Sequence, residues 1–133
     1  MAEYLSDAWI EDLGAAVAAD EGLRRAARGV RATVQQVVVG GPGGDVAWHV
    51  VIDDGTVAVR PGAADHPDVT FEEDYDAARR VTAGELSPQA AFMTGRLRVR
   101  GDLPLLVRHQ PAFAALALAA GAVRARTTFA ASP

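Results

Sequence analysis

The chain has 133 residues, half of them apolar and 23% charged, with a net charge of −4 and a pI near 5.3. That length accommodates one domain with one core, the composition is that of a folded chain, and the acidic balance argues against a nucleic-acid binder. There is no cysteine and all 13 basic residues are arginine, which excludes disulfides, thiol nucleophiles, thiolate metal sites, Schiff bases and phosphate-cradling lysines.

The start, Met1-Ala2-Glu3-Tyr4, lacks the basic-then-apolar signature of a signal peptide. A helix follows, with Ser6 or Asp7 as its cap and Trp9, Leu13, Ala16 and Val17 at helical spacing beside Ile10. A second helical piece over residues 21–28 carries Leu23, Ala26 and Ala27 and stops at Gly29. Three strands come next and read as an antiparallel meander. Residues 30–39 are rich in valine and threonine, and Gly40-Gly41-Pro42-Gly43-Gly44 forces a break. Residues 46–52 put Val46, Trp48, Val50 and Ile52 on one face. Asp53-Asp54-Gly55-Thr56 is a hairpin signal, and residues 56–60 return with Val57 and Val59 inward. The glycine run lies between two strands, not before a helix, so it reads as turn chemistry rather than a phosphate cradle.

From Asp68 two local readings stand. Thr70-Phe71-Glu72-Glu73 fits a capping box; alternatively Val69-Thr70-Phe71 is a fourth strand and the helix begins near Glu72 or Glu73. Tyr75, Ala78, Val81 and Thr82 support a helix either way, ending at Gly84. Ser87-Pro88 restarts a helix that displays Ala91, Phe92 and Met93 and runs out at Gly95. In residues 96–100 Leu97 and Val99 alternate with three arginines, the period of a strand with one wet face. Gly101 closes that strand and Asp102 opens the last helix. Its alanine-rich part, residues 111–123, is shorter than the roughly 20 residues of a membrane span.

These elements also match a known pattern. Asp68-Val69-Thr70-Phe71, Gly84-Glu85-Leu86, Pro88-Gln89-Ala90-Ala91-Phe92-Met93 and Gly95-Arg96-Leu97-Arg98-Val99-Arg100-Gly101-Asp102 fall in register over about 35 residues. In this stretch the chain resembles the sterol carrier protein type 2 family, as a free-standing bacterial-type member. The resemblance implies an α+β fold: a single, mostly antiparallel sheet of about five strands, helices packed on one face, and an apolar tunnel between them. It implies non-covalent binding or transport of a lipid-like ligand (a fatty acid, fatty acyl-CoA or sterol-like molecule), with no cofactor and no metal. On the sheet the tunnel residues would be Trp48, Val50, Ile52, Phe71, Leu97 and Val99. The helices would add Phe92, Met93, Leu103 and Leu106, then Phe113, Ala114, Leu116 and Ala117. Small alanines in the last helix are compatible with room beneath it, and equally with close helix packing.

Two other classes stay open. A small cavity enzyme of isomerase or cyclase type would use a buried His or Asp, with His49 and Asp45 as candidates. A non-catalytic interaction module would serve a partner enzyme. The remaining histidines, His66 in a turn and His109 on the last helix, show no metal-ligand spacing, and Ser6, Ser87 and Ser132 lie in no nucleophile motif. The run Glu72-Glu73-Asp74 is accounted for by a helix N-terminus. Arg96, Arg98 and Arg100, with Arg79 and Arg80, read as a solvated strand face, or as an anchor for an anionic head group or a transient membrane contact. The ending Ala131-Ser132-Pro133 is not a peroxisomal signal, so the expected location is cytoplasmic.

Overall fold

Five of the six α-helices among the described residues begin where a short polar side chain takes an otherwise orphaned amide. Ser6 accepts from the Trp9 amide (3.1 Å), Asp20 from Leu23 (2.8 Å), Asp74 from Ala77 (2.8 Å), Ser87 from Ala90 (3.0 Å) and Asp102 from Leu105 (3.2 Å). Each such cap contributes about 1 kcal/mol. The computed structural model describes residues 2–129; Ser132 and the Ala131-Ser132-Pro133 ending lie outside the described residues. Its elements are β1 (Ala2–Glu3), α1 (Asp7–Ala19), α2 (Glu21–Ala26), β2 (Arg31–Gly41), β3 (Gly44–Asp53), β4 (Thr56–Pro61) and β5 (Val69–Asp74). After them come α3 (Tyr75–Thr82), α4 (Pro88–Met93), β6 (Leu97–Gly101), α5 (Leu103–Arg108), α6 (Gln110–Gly121), a 3-10 turn at Arg124–Arg126 and β7 (Thr127–Thr128).

The five-stranded sheet has the order β4-β3-β2-β5-β6, antiparallel except for the central β2–β5 pair. The meander is present, and its second turn carries Asp54 and Gly55 at positive φ, as a tight hairpin requires. Of the two readings at Asp68 the strand prevails. It runs on to Asp74, so the cap is Asp74 and the capping box at Thr70 does not form. A strand of this length gains a ladder on both edges, and that outweighs one capped turn.

The Asp68 and Gly101-Asp102 pieces of the motif meet in space. Asp68 accepts from the Thr33 amide through its side chain (2.7 Å) and from the Asp102 amide through its carbonyl (2.8 Å). Gly101 has φ +109°, and a Cβ there would overlap the Asp68 carbonyl. Glycine is needed at that crossing because the backbones touch.

Two features depart from the sequence expectation. The last helix is two: α5 ends at Arg108, His109 sits at the break with φ −115° and ψ 34°, and α6 restarts with Pro111 in its first turn. Proline has no amide to donate and disfavours a helical residue before it, so a helix passing through residues 109–111 breaks there. The chain ends also pair, β1 with β7 in parallel, tied by Trp9 Nε1 donating to Thr127 Oγ1 at 3.1 Å. Around that tie Tyr4, Trp9 and Trp48 stack edge to face, with ring centres 4.9 and 5.4 Å apart.

Candidate functional site

Strand register sorts the sheet into two faces. Helix α1 lies over β4, α6 packs on α1 and α2, α3 leans on β2 and β5, and α4 stands beside β6. On the helix-covered face Ala32, Val34 and Val38 of β2, Trp48, Val50 and Ile52 of β3, and Val57 of β4 are buried. Past Val69, which is fully buried, the same face changes character along β5 and β6. Phe71, Leu97 and Val99 are only half-buried, although Phe71 pairs with Val99 and packs against the core.

Helix α4, beside β6, and the two following helices carry the large apolar residues left in water. Among the described residues these are Phe92 (56% exposed) and Met93 (84%) of α4, Leu103 (49%) and Val107 (78%) of α5, and Leu118 (81%) of α6. The expected lining set is therefore split. Trp48, Val50 and Ile52 belong to the closed core; Phe71, Leu97, Val99, Leu106, Phe113 and Leu116 are half-buried; Phe92, Met93, Leu103, Ala114 and Ala117 are exposed. The α4 residue that is buried is Ala91, and in α5 it is Leu105 rather than Leu103. In α6 the buried alanines are Ala112 and Ala119.

The acidic run at residues 72–74 does three different things, because a strand turns successive side chains to opposite faces. Glu72 points outward and meets Arg98 and Arg100, both at 3.4 Å. Asp74, besides capping α3, pairs with Arg96 at 3.1 Å, and the same guanidinium reaches Asp76 at 2.7 Å. Partial burial opposes ionisation of Asp74, but hydrogen bonds from Arg96 and the Ala77 amide outweigh it and hold its carboxyl below the usual range. Glu73 points the other way. It pairs across the ladder with Val38 on one side and Leu97 on the other, both on the helix-covered face. Its Oε2 is fully buried with no hydrogen-bond partner among the described residues. Burial, with a smaller contribution from Asp74, pushes this carboxyl up to about 7. Nothing in the residues flagged this group beforehand, because an acid at a strand-to-helix junction looks like part of a cap.

The uncovered face holds two shallow hollows. One of about 260 Å³ is lined by Thr33, His49, Val51 and the crossing segment Ala63-Ala64-Asp65-His66. The other, about 530 Å³, lies over Arg31, Asp53 and Asp68 and touches Ile52; no other expected lining residue borders either. His49 Nδ1 is 2.8 Å from the Gly62 carbonyl, and Asp45 accepts from the Gly40 amide at 2.9 Å to hold the hairpin. Both enzyme candidates thus sit on the side away from the helices, each engaged with backbone. Arg98 and Arg100 stand exposed on the same side, on the edge strand.

A family model described as the SCP-2 sterol transfer family matches residues 10–114. The chain belongs to this SCP-2 sterol transfer family. The class of activity that goes with it is lipid binding and transfer. Among solved structures, the chain is similar to a crystal structure of sterol carrier protein 2, at TM-score 0.73 and 24% identity over 90% of this chain and 98% of the other. A solution structure of a possible sterol carrier protein from Thermus thermophilus matches at TM-score 0.72 and 24% identity, covering 92% and 91%. The sterol carrier protein domain 2 of Helicoverpa armigera matches at 0.66 and 26%, covering 90% and 91%. Curated proteins gave no significant sequence match. The sterol-carrier fold accounts for the single mostly antiparallel sheet with helices on one face; the β1–β7 pairing stands beside it as a small second sheet. Among the described residues no helix is long and apolar enough to cross a membrane.

Proposed function

We propose that this chain acts as one sterol-carrier-type unit that binds a lipid-like molecule without chemical change, the apolar body lying on the β5–β6 end of the helix-covered face. The observation that carries the reading is the uneven closure of that face. Most of its β2–β3 part is buried, with only Gln36 and Val46 half-buried, while Phe71, Leu97 and Val99 keep solvent access and α4 and α5 leave Phe92, Met93 and Leu103 in water. Monomeric proteins seldom gather large exposed apolar residues in one region without a ligand or partner for them. Leu106, Phe113 and Leu116 complete the lining, with Trp48, Val50 and Ile52 as its floor in the core. Ala114 and Ala117 mark the outer side of α6. Catalysis is not part of this reading, since His49 and Asp45 serve backbone contacts on the other face. The lipid would be exchanged in the cytoplasm through transient membrane contacts.

The expected affinity follows from area. A chain of about sixteen carbons gains roughly 13 kcal/mol at about 0.8 kcal/mol per buried CH₂. Immobilisation costs roughly 5 kcal/mol, leaving about −8 kcal/mol, a micromolar Kd. A pyrene-labelled sixteen-carbon alcohol should therefore bind with a micromolar Kd and be displaced by unlabelled lipid. Val99→Trp, which fills the strip from its edge strand, should weaken binding about tenfold while the circular dichroism spectrum is kept. Failure of the wild-type protein to bind any acyl or sterol probe would rule the reading out.

A further inference from the structure

Two polar side chains lie on the helix-covered face around the apolar strip: Gln36 of β2, beside Phe71, and Glu73, the one that is acidic. Strand alternation puts its carboxyl on the helix-covered face between Val38 and Leu97, two residues along from Phe71. Strand β6 leaves α4 at Leu97, so Glu73 marks the end of the strip nearest Phe92 and Met93. A buried carboxyl oxygen without a partner is costly, and native proteins keep few of them. A hydrogen-bond donor delivered with the ligand would satisfy it.

Resting on the carrier reading above, we infer that Glu73 is the head-group residue of the site, and that it selects lipids bearing a neutral hydrogen-bond donor, such as a hydroxyl, over those ending in a free carboxylate. The surroundings decide the sign. Adjacent Asp74 is acidic and already paired with Arg96. Arg98 and Arg100 are turned to the opposite face and engaged with Glu72. The lateral neighbours Val38 and Leu97 carry no charge. Tyr4, just after β1, whose phenol burial pushes upward, and Tyr75 at the start of α3 are the nearby hydroxyl groups, and a phenol cannot supply a positive charge. Helices α4 and α6 have no titratable side chain; Asp76, Arg79 and Arg80 lie along α3, Arg108 ends α5, and Arg124 of the 3-10 turn donates to the Thr82 carbonyl. A carboxylate ligand would thus meet a like charge with no cation assigned to relieve it, whereas a hydroxyl would donate to the ionised carboxyl through a charge-assisted hydrogen bond.

The carboxyl titrates near neutrality, which gives the selection a pH signature. A bound hydroxyl favours the ionised form, so the alcohol should bind more tightly above the transition. A carboxylate tolerates only the protonated form, so the acid should bind more tightly below it. The test compares pyrene-labelled hexadecanol with pyrene-labelled hexadecanoic acid at about pH 5.5 and about pH 8.5, on either side of the transition. In the wild-type protein the alcohol-to-acid affinity ratio should rise by about tenfold more than in Glu73→Gln or Glu73→Met, which control for the acid's own ionisation. Glu73→Met should also lose the alcohol preference at high pH while still binding the acid. An equal change of ratio in all three proteins, or a wild-type preference for the acid at high pH, overturns the assignment and leaves the carrier reading intact. Binding of neither probe at either pH removes both.

Discussion

Replacing Glu73 by methionine should stabilise the protein above neutrality and change little in mild acid. The carboxyl ionises at about 7 instead of 4.5, chiefly because burial penalises its charge. A group whose folded pKa is raised binds its proton more firmly in the folded state. Its contribution to stability is fully present below about pH 4.5 and is lost as pH rises through about 7. That interval corresponds to at most about 3.5 kcal/mol, at about 1.4 kcal/mol per tenfold change in proton affinity. Solvent reaches part of the side chain, so about 2 kcal/mol is the working figure. Methionine carries no charge to desolvate, is similar in length, and suits the apolar neighbours Val38 and Leu97. Urea unfolding at about pH 4.5 and about pH 8 measures the difference directly. The gap between variant and wild type should widen by about 2 kcal/mol from the lower to the higher pH, or about 5–10 °C in Tm. A gap that is the same at both values would refute burial of the carboxylate as the cause. A gap of opposite sign would mean that the ionised form has a cationic partner.

Two further variants probe other features of the fold. Arg98→Gln with Arg100→Gln should alter stability by no more than about 1 kcal/mol, because the pairs with Glu72 are long and exposed on the arginine side; neutral-lipid binding should stay insensitive to salt, which a titration in sodium chloride would reveal. Gly101→Ala should cost upwards of about 3 kcal/mol in chemical denaturation, since both the positive φ and the Asp68 carbonyl exclude a side chain.

Much of the fold was legible because its signals are local. Valine-rich alternation located the meander, and Ser87-Pro88 and Asp102 marked helix starts that the structure reproduces. The motif from Asp68 to Asp102 was readable because its glycines and aspartates hold two strand ends together. What escaped depends on contacts far apart in sequence. The two-residue strands β1 and β7 have no period to detect. Helix α6 is apolar nearly all round, so nothing in its residues told Ala112 and Ala119, which are buried, from Ala114 and Leu118, which are exposed. The break at His109 is the exception, because its signal, Pro111 two residues on, is local. Glu73 was masked by its neighbours, Glu72 and Asp74, whose outward roles suit an acid in any case.

The central claim is the place of the ligand, and chemical-shift mapping tests it most directly. Titrating the isotope-labelled protein with a sixteen-carbon alcohol should move the resonances of Phe71, Leu97, Val99, Phe113 and Leu116 together, with the same apparent Kd. His49, Val51, Asp65 and His66 around the hollow on the uncovered face should stay in place. Shifts centred on that hollow, with the β5–β6 strip unmoved, would contradict the account.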